Sequence, residues 1–222
     1  DLIVRAGDHR EIANQIQRPA QAVVIRKYFQ RINKLSKLVV CSGNHDLDKK
    51  DEFGELTSNW ISNARLFGIP TDGDTVEIND TLFSVCPWWD GVNGQYDVNE
   101  QLERDAKREA KRWVWVHHAP PEESPTSWGG KVCYGDEELR RWIIRYQPDL
   151  VLSGHVHQSP YIKDGSWADR IGKTWVFNGG HQPGRVPSHV LIDTELKKAF
   201  WKSAYGAQSV SLEDEIEYPL QP

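Results

Sequence analysis

The chain has 222 residues, enough for one α/β domain with a well-buried core and too few for two ordinary domains to be the first expectation. Its charged fraction of 27% and apolar fraction of 38% exclude a disordered or fibrous chain and describe a soluble globular one. A net charge of -5 argues against a surface built mainly to hold nucleic-acid backbone, although a local positive site made by metal ions stays compatible with it.

The chain opens on Leu2-Ile3-Val4, which already reads as a buried strand, and it contains no methionine. A further segment is therefore expected ahead of Asp1. Loss of a central first strand would leave the edge at Leu2 to Val4 open to pairing with another chain, so a homodimer is one expectation. Leu38 to Val40, Trp113 to Val116 and Leu150 to Leu152 are further short apolar runs rich in β-branched and aromatic residues, the pattern of strands covered on both faces. Helical character is read between them, over Ala20 to Leu35, Glu52 to Leu66, Glu100 to Arg112 and Asp136 to Tyr146.

Two β-rich stretches, Thr75 to Pro87 around the Asn79-Asp80 turn and Lys173 to Trp201, interrupt the alternation. Two facing mixed β-sheets flanked by helices, a four-layer αββα sandwich, satisfy both patterns, and a single doubly wound sheet is the alternative. One domain is expected over residues 1–204. The remaining 205–222, rich in Glu and Pro, reads as an exposed acidic tail. Cys41, Cys86 and Cys133 are too scattered for a disulfide framework or a C-x-x-C zinc site, which fits a reducing, cytoplasmic setting. No run is long and apolar enough to suggest a membrane partner.

Each expected strand is followed by a polar cluster, at the place where ligands of α/β sheets gather. The clusters are Gly7-Asp8-His9-Arg10-Glu11, Gly43-Asn44-His45-Asp46, His117-His118-Ala119-Pro120 and Gly154-His155-Val156-His157. Together they offer carboxylate and amide oxygens and imidazole nitrogens, a donor set suited to Mn, Fe, Zn, Co or Ni and poorly suited to calcium.

The order G-D-x-x-E, G-N-H-D, H-x-P, G-H-x-H resembles the calcineurin-like metallophosphoesterase superfamily, from Leu2 to about Asn178. The D-x-H that stands near the start of that family's pattern is missing. The resemblance implies a metal-dependent phosphoesterase that hydrolyses a phosphodiester or phosphomonoester by attack of a metal-bound hydroxide, with the diester slightly favoured. It makes Asp8 the carboxylate bridging two divalent transition metals, gives Asn44, His118 and His155 to one metal, and gives His157 to the other. His118 is preferred to its neighbour His117 because it stands in the H-x-P register. His45 would contact the phosphate and help the leaving oxygen depart, and Asp46 would orient it. With D-x-H absent, the metal that His157 serves is expected to be weakly held, and His9 is a poor substitute because neighbouring side chains point apart.

Plainer roles are kept for other residues. His117, His181 and His189 read as surface or hydrogen-bonded core histidines, and Trp88-Trp89 as either core packing or a wall for a base or aryl leaving group. The turn from Asn178 to Gly184 reads as a plain connection between strands, with an approach to the site as the alternative. A nuclease of the same fold would need Lys49, Lys50, Arg104, Lys107, Arg108, Lys111 and Arg112 on one face, and nucleic acid is not the favoured partner. A non-catalytic metal-binding protein that has lost its second metal site is a further alternative, against which the presence of His45 and Asp46 weighs.

Overall fold

The computed structural model describes residues 2–6, 18–182, 186–216, 218 and 220. Among them, β1 (Leu2–Ala6) and β2 (Lys37–Cys41) form a parallel pair in the register Leu2 to Lys37 and Ala6 to Cys41, with α1 (Arg18–Asn33) as the crossover. The last four residues of β2 are buried, as expected for a strand covered on both faces. Leu38 and Val40 share one face and pack with Ile25 and Phe29, which lie one turn apart on α1, and with Ile61, Ala64 and Ile69. Deleting a side chain as large as Phe29 from such a cluster costs about 3–5 kcal/mol.

The chain then runs through the two-residue strands β3 (Lys49–Lys50) and β4 (Leu56–Thr57), which pair with each other, into the single turn α2 (Asn59–Ser62) and a 3-10 turn over Asn63–Phe67. The helix expected over Glu52 to Leu66 is therefore mostly absent. Asp51 accepts from the backbone N–H groups of Phe53 and Glu55 at 2.9 Å, and Asp48 accepts from that of Asn59 at 2.8 Å. Such side-chain bonds offer the backbone an alternative to helix.

β5 (Thr75–Ile78) and β6 (Thr81–Val85) form the expected antiparallel hairpin, and β6 pairs in parallel with β7 (Arg112–Val116). Between them α3 spans Val92–Asp105, so it starts earlier than the expected Glu100 and ends earlier than Arg112, which belongs to β7. The cause is a remote cap. Gly91 supplies no capping side chain, and the Glu55 carboxylate instead accepts from the backbone N–H groups of Asn93 at 3.1 Å and Gly94 at 3.0 Å. At the other end Asp105 is buried and accepts from Thr75 and Ser84 at 2.7 Å, which anchors α3 to the hairpin.

The first of two compact units, Asp1–His118, has α1 outside β2, β2 against β6, β1 against β7, and α3 outside β6. This is the helix, sheet, sheet, helix layering that the alternation of elements implies.

The second unit, Ala119–Pro222, is built from α4 (Glu137–Tyr146), β8 (Leu150–Ser153), β9 (Ala168–Ile171) and β10 (Thr174–Asn178), followed by the meander β11 (His189–Asp193), β12 (Lys198–Lys202) and β13 (Ala207–Ser211). β10 pairs in parallel with β8 and antiparallel with β9. Asp136 caps α4 by accepting from Leu139 N–H at 2.7 Å. β13, which pairs with β12, falls inside the stretch read from sequence as an acidic tail; alternating Ser and Val carries too little apolar signal to mark it as a strand. Among the described residues no helix is long and apolar enough to cross a membrane.

In the β5–β6 hairpin the two loop residues, Asn79 and Asp80, have φ of 50° and 60°. Both central positions of this turn thus take the left-handed region, where Asp carries a steric cost that Gly does not. Asp80→Gly is expected to raise stability by about 0.5–1 kcal/mol, seen as a higher midpoint in thermal unfolding followed by circular dichroism.

Candidate metal centre

In the first unit the site begins where β2 ends. Gly43 N–H donates to Asp46 Oδ2 at 2.9 Å and Asp46 N–H donates to Gly43 C=O at 3.0 Å, which closes the Gly43-Asn44-His45-Asp46 segment into a tight turn. The indole of Trp60 donates to the backbone oxygen of Asp46 at 2.9 Å. Asp46 is buried by this bracing, and His45 is left exposed at the tip with Asn44 half-buried beside it.

β7 delivers His117 and His118, both buried. The Nε2 atom of His118 lies 3.1 Å from Oδ1 of Asn44, so the second and third polar clusters of the sequence meet directly. His117 does something else: its ring stacks on that of Trp89, with centroids 4.3 Å apart and planes 9° from parallel. Trp88 presents an edge-on contact to His118 at 5.6 Å. The tryptophan pair thus belongs partly to packing, around the imidazoles.

Two residues that the sequence leaves unmarked hold this corner. Buried Ser42 donates its N–H to Asp72 Oδ1 at 2.8 Å, and its hydroxyl accepts from Trp88 N–H at 2.9 Å. Burial pushes the Asp72 carboxyl up to about 6, against the lowering effect of its hydrogen bonds with Ser42 and with a further push from Asp46. No motif includes either residue. The one available signal is position: Ser42 directly follows β2, and Asp72 lies in the turn that leads into β5.

A cleft of about 370 Å3 opens next to these residues, with Trp88, Trp89 and Asp72 in its wall. Asp51, Glu55, Asp72, Asp90 and Asp97 line it against Arg104, so its charge is strongly negative.

The second unit carries His155 and His157 just beyond β8. His155 has φ of 66°, in the left-handed region that a residue with a Cβ seldom takes. The turn is pinned by buried Asn178, at the end of β10, whose Nδ2 donates to the backbone oxygens of Val156 at 3.0 Å and Thr126 at 2.9 Å. Its Oδ1 accepts from Gly180 N–H at 2.9 Å. The backbone between the two histidines is thereby fixed from a neighbouring strand, and the rings of His157 and His181 lie with centroids 4.9 Å apart.

Asp8 and His9 lie outside the described residues. Among the described residues no three His, Cys, Asp or Glu side chains gather as a metal cluster. What is present fits a transition metal in kind. An amide oxygen faces an imidazole nitrogen in the first unit, and two imidazole rings lie side by side in the second, donors that borderline cations accept.

A family model described as calcineurin-like phosphoesterase matches residues 1–159. Among solved structures, the chain is similar to TT1561 of Thermus thermophilus, with 11% identity over 96% of this chain and 86% of that chain and a TM-score of 0.53. It is also similar to the purple acid phosphatase PPD1 from yellow lupin (Lupinus luteus) seeds, with 13% identity over 100% of this chain and 50% of that chain and a TM-score of 0.52. At these identities the likeness is one of fold. No curated protein matches the chain.

Two variants probe the supports. The folded pKa of Asp72, about 6, lies above its ordinary value of 3.8, so stability falls as pH rises from the lower value to the higher and the loss is complete above about 6. Asp72→Asn is expected to raise the unfolding midpoint at about pH 8, by about 1–2 kcal/mol, and to make little difference at about pH 4, where the folded wild-type carboxyl is already protonated. Asn178→Leu leaves three backbone groups without their amide partner and is expected to destabilise by about 2–4 kcal/mol in urea unfolding.

Proposed function

The chain belongs to the calcineurin-like phosphoesterase family, and from that premise we propose that it is a metal-dependent hydrolase of phosphate esters, with a diester as the favoured substrate. The observation that carries the reading is the meeting of Asn44 and His118 at the ends of β2 and β7, with exposed His45 next in the chain to Asn44. Asp8, Asn44, His118, His155 and His157 are the residues proposed to hold the metals. When bound, a metal pair supplies an activated water and neutralises charge at phosphorus.

The protein's own groups do the rest. His45 stands at the tip of a turn that Asp46 and Trp60 keep closed, so its imidazole reaches solvent and an incoming ester without cost to the core. A protonated imidazole there donates to the departing alkoxide, the step that limits hydrolysis of esters with poor leaving groups. The leaving group is proposed to lie in the cleft beside Trp88 and Trp89. Five carboxylates against one arginine in that cleft favour a small-molecule ester over a nucleic acid, whose phosphates such a lining repels. Of the basic residues a nuclease channel would need, Arg104 is the one that lines this cleft, and it leans on Asp105 at 3.4 Å.

Metal-stripped protein reconstituted with manganese is expected to hydrolyse bis-p-nitrophenyl phosphate faster than p-nitrophenyl phosphate. His45→Ala is expected to keep its metal content and lose about 10²-fold or more in kcat on an alkyl leaving group, with a smaller loss for p-nitrophenolate, which departs without a proton. Equal losses on both leaving groups would mean that His45 binds phosphate rather than acting as an acid. No turnover of either ester by metal-loaded wild type would overturn the hydrolase reading.

A further inference from the structure

His181, which the sequence offers as an ordinary loop histidine, lies against His157 in a way that the surrounding chain has been shaped to produce. Asn178 holds the turn from one side through Gly180 N–H, and His181 N–H itself donates to the backbone oxygen of His157 at 3.0 Å. Ser188 donates its hydroxyl to Gly180 C=O at 3.0 Å, and the indole of Trp201 donates to Gly179 C=O at 2.9 Å. Gly180 takes φ of 66°, and a Cβ there would stand 2.9 Å from the His157 backbone oxygen and 2.6 Å from Pro160. Only glycine lets the turn come so close.

The outcome of this bracing is a pair of rings, 4.9 Å between centroids and 46° between planes. That angle is neither a parallel stack nor an edge-on contact. Two imidazoles that share one ion at about 2.1 Å per nitrogen, with near-tetrahedral angles, have their ring centres about 5 Å apart. His181 is also exposed, so its ring is open to an ion that arrives from solvent.

We propose that His181 is a metal ligand that binds the same divalent transition ion as His157, giving the second unit a two-imidazole metal site beyond the family's G-H-x-H pair. The inference rests on the reading of His157 as a metal ligand given above. An N,N donor pair of this kind selects zinc, cobalt or nickel over magnesium or calcium.

Cobalt(II) titration of the metal-stripped full chain tests it, read by the visible absorption of the bound ion and by metal content after gel filtration. His181→Ala, with the metal-free unfolding midpoint unchanged because the ring is exposed, is expected to weaken one binding event by about tenfold or more and to change the visible spectrum. His157→Ala is expected to weaken the same event. The double variant is expected to lose less than the sum of the two, because both donors serve one ion. His189→Ala, a histidine at the start of β11, is expected to bind as wild type. If His181→Ala titrates and absorbs like wild type while His157→Ala does not, the assignment of His181 is overturned and the hydrolase reading stands. Absence of cobalt binding by the wild-type chain overturns both.

Discussion

Ser42 stands where β2 gives way to its loop, and its backbone and hydroxyl face two different partners. The N–H goes to Asp72 and the hydroxyl receives the N–H of Trp88, so one small buried side chain joins the segments that follow β2 and β6. The placement of Asn44 depends on that junction, two residues further on. So does the placement of Trp88, whose edge rests on the His118 ring. A serine suits this place because its side chain is fully buried and still supplies the oxygen that Trp88 N–H needs.

The second unit solves the same problem with a different residue. Asn178 uses both ends of its amide, donating to the loop that carries the histidine pair and accepting from the glycine turn that follows β10. In both units, then, the proposed chemistry sits on loops whose geometry is set by one buried polar side chain from the strand end beside them. A metal site needs its donor atoms held to within about half an ångström, and buried supports of this kind suit loops that are proposed to carry one.

Much of this is legible in the sequence. The apolar runs at Leu38, Trp113 and Leu150 become β2, β7 and β8, and the polar clusters after them stand at their ends. Short repeated signals of one type, confined to neighbouring residues, survive folding unchanged. What cannot be read depends on partners distant in the chain. Glu55 caps α3 across 39 residues, and without it the segment from Val92 has the glycines of a loop, so sequence alone places the helix too late. Asp72 and Asn178 carry no motif and matter only through what folding brings to them. His181 reads as an ordinary surface residue for the same reason, because its neighbour His157 is 24 positions away in the chain.

The left-handed backbone at His155 bears on how this protein can change over generations. At φ of 66° a side chain with a Cβ costs of the order of 1 kcal/mol relative to glycine. Drift that answered to folding alone would therefore move position 155 toward glycine, and every step in that direction would be rewarded with a slightly tougher protein. The imidazole stands there against that slope. If the metal role proposed for His155 holds it there, a lineage that no longer used that role should lose this histidine early and end with glycine or asparagine in its place, while the strand before it stayed the same.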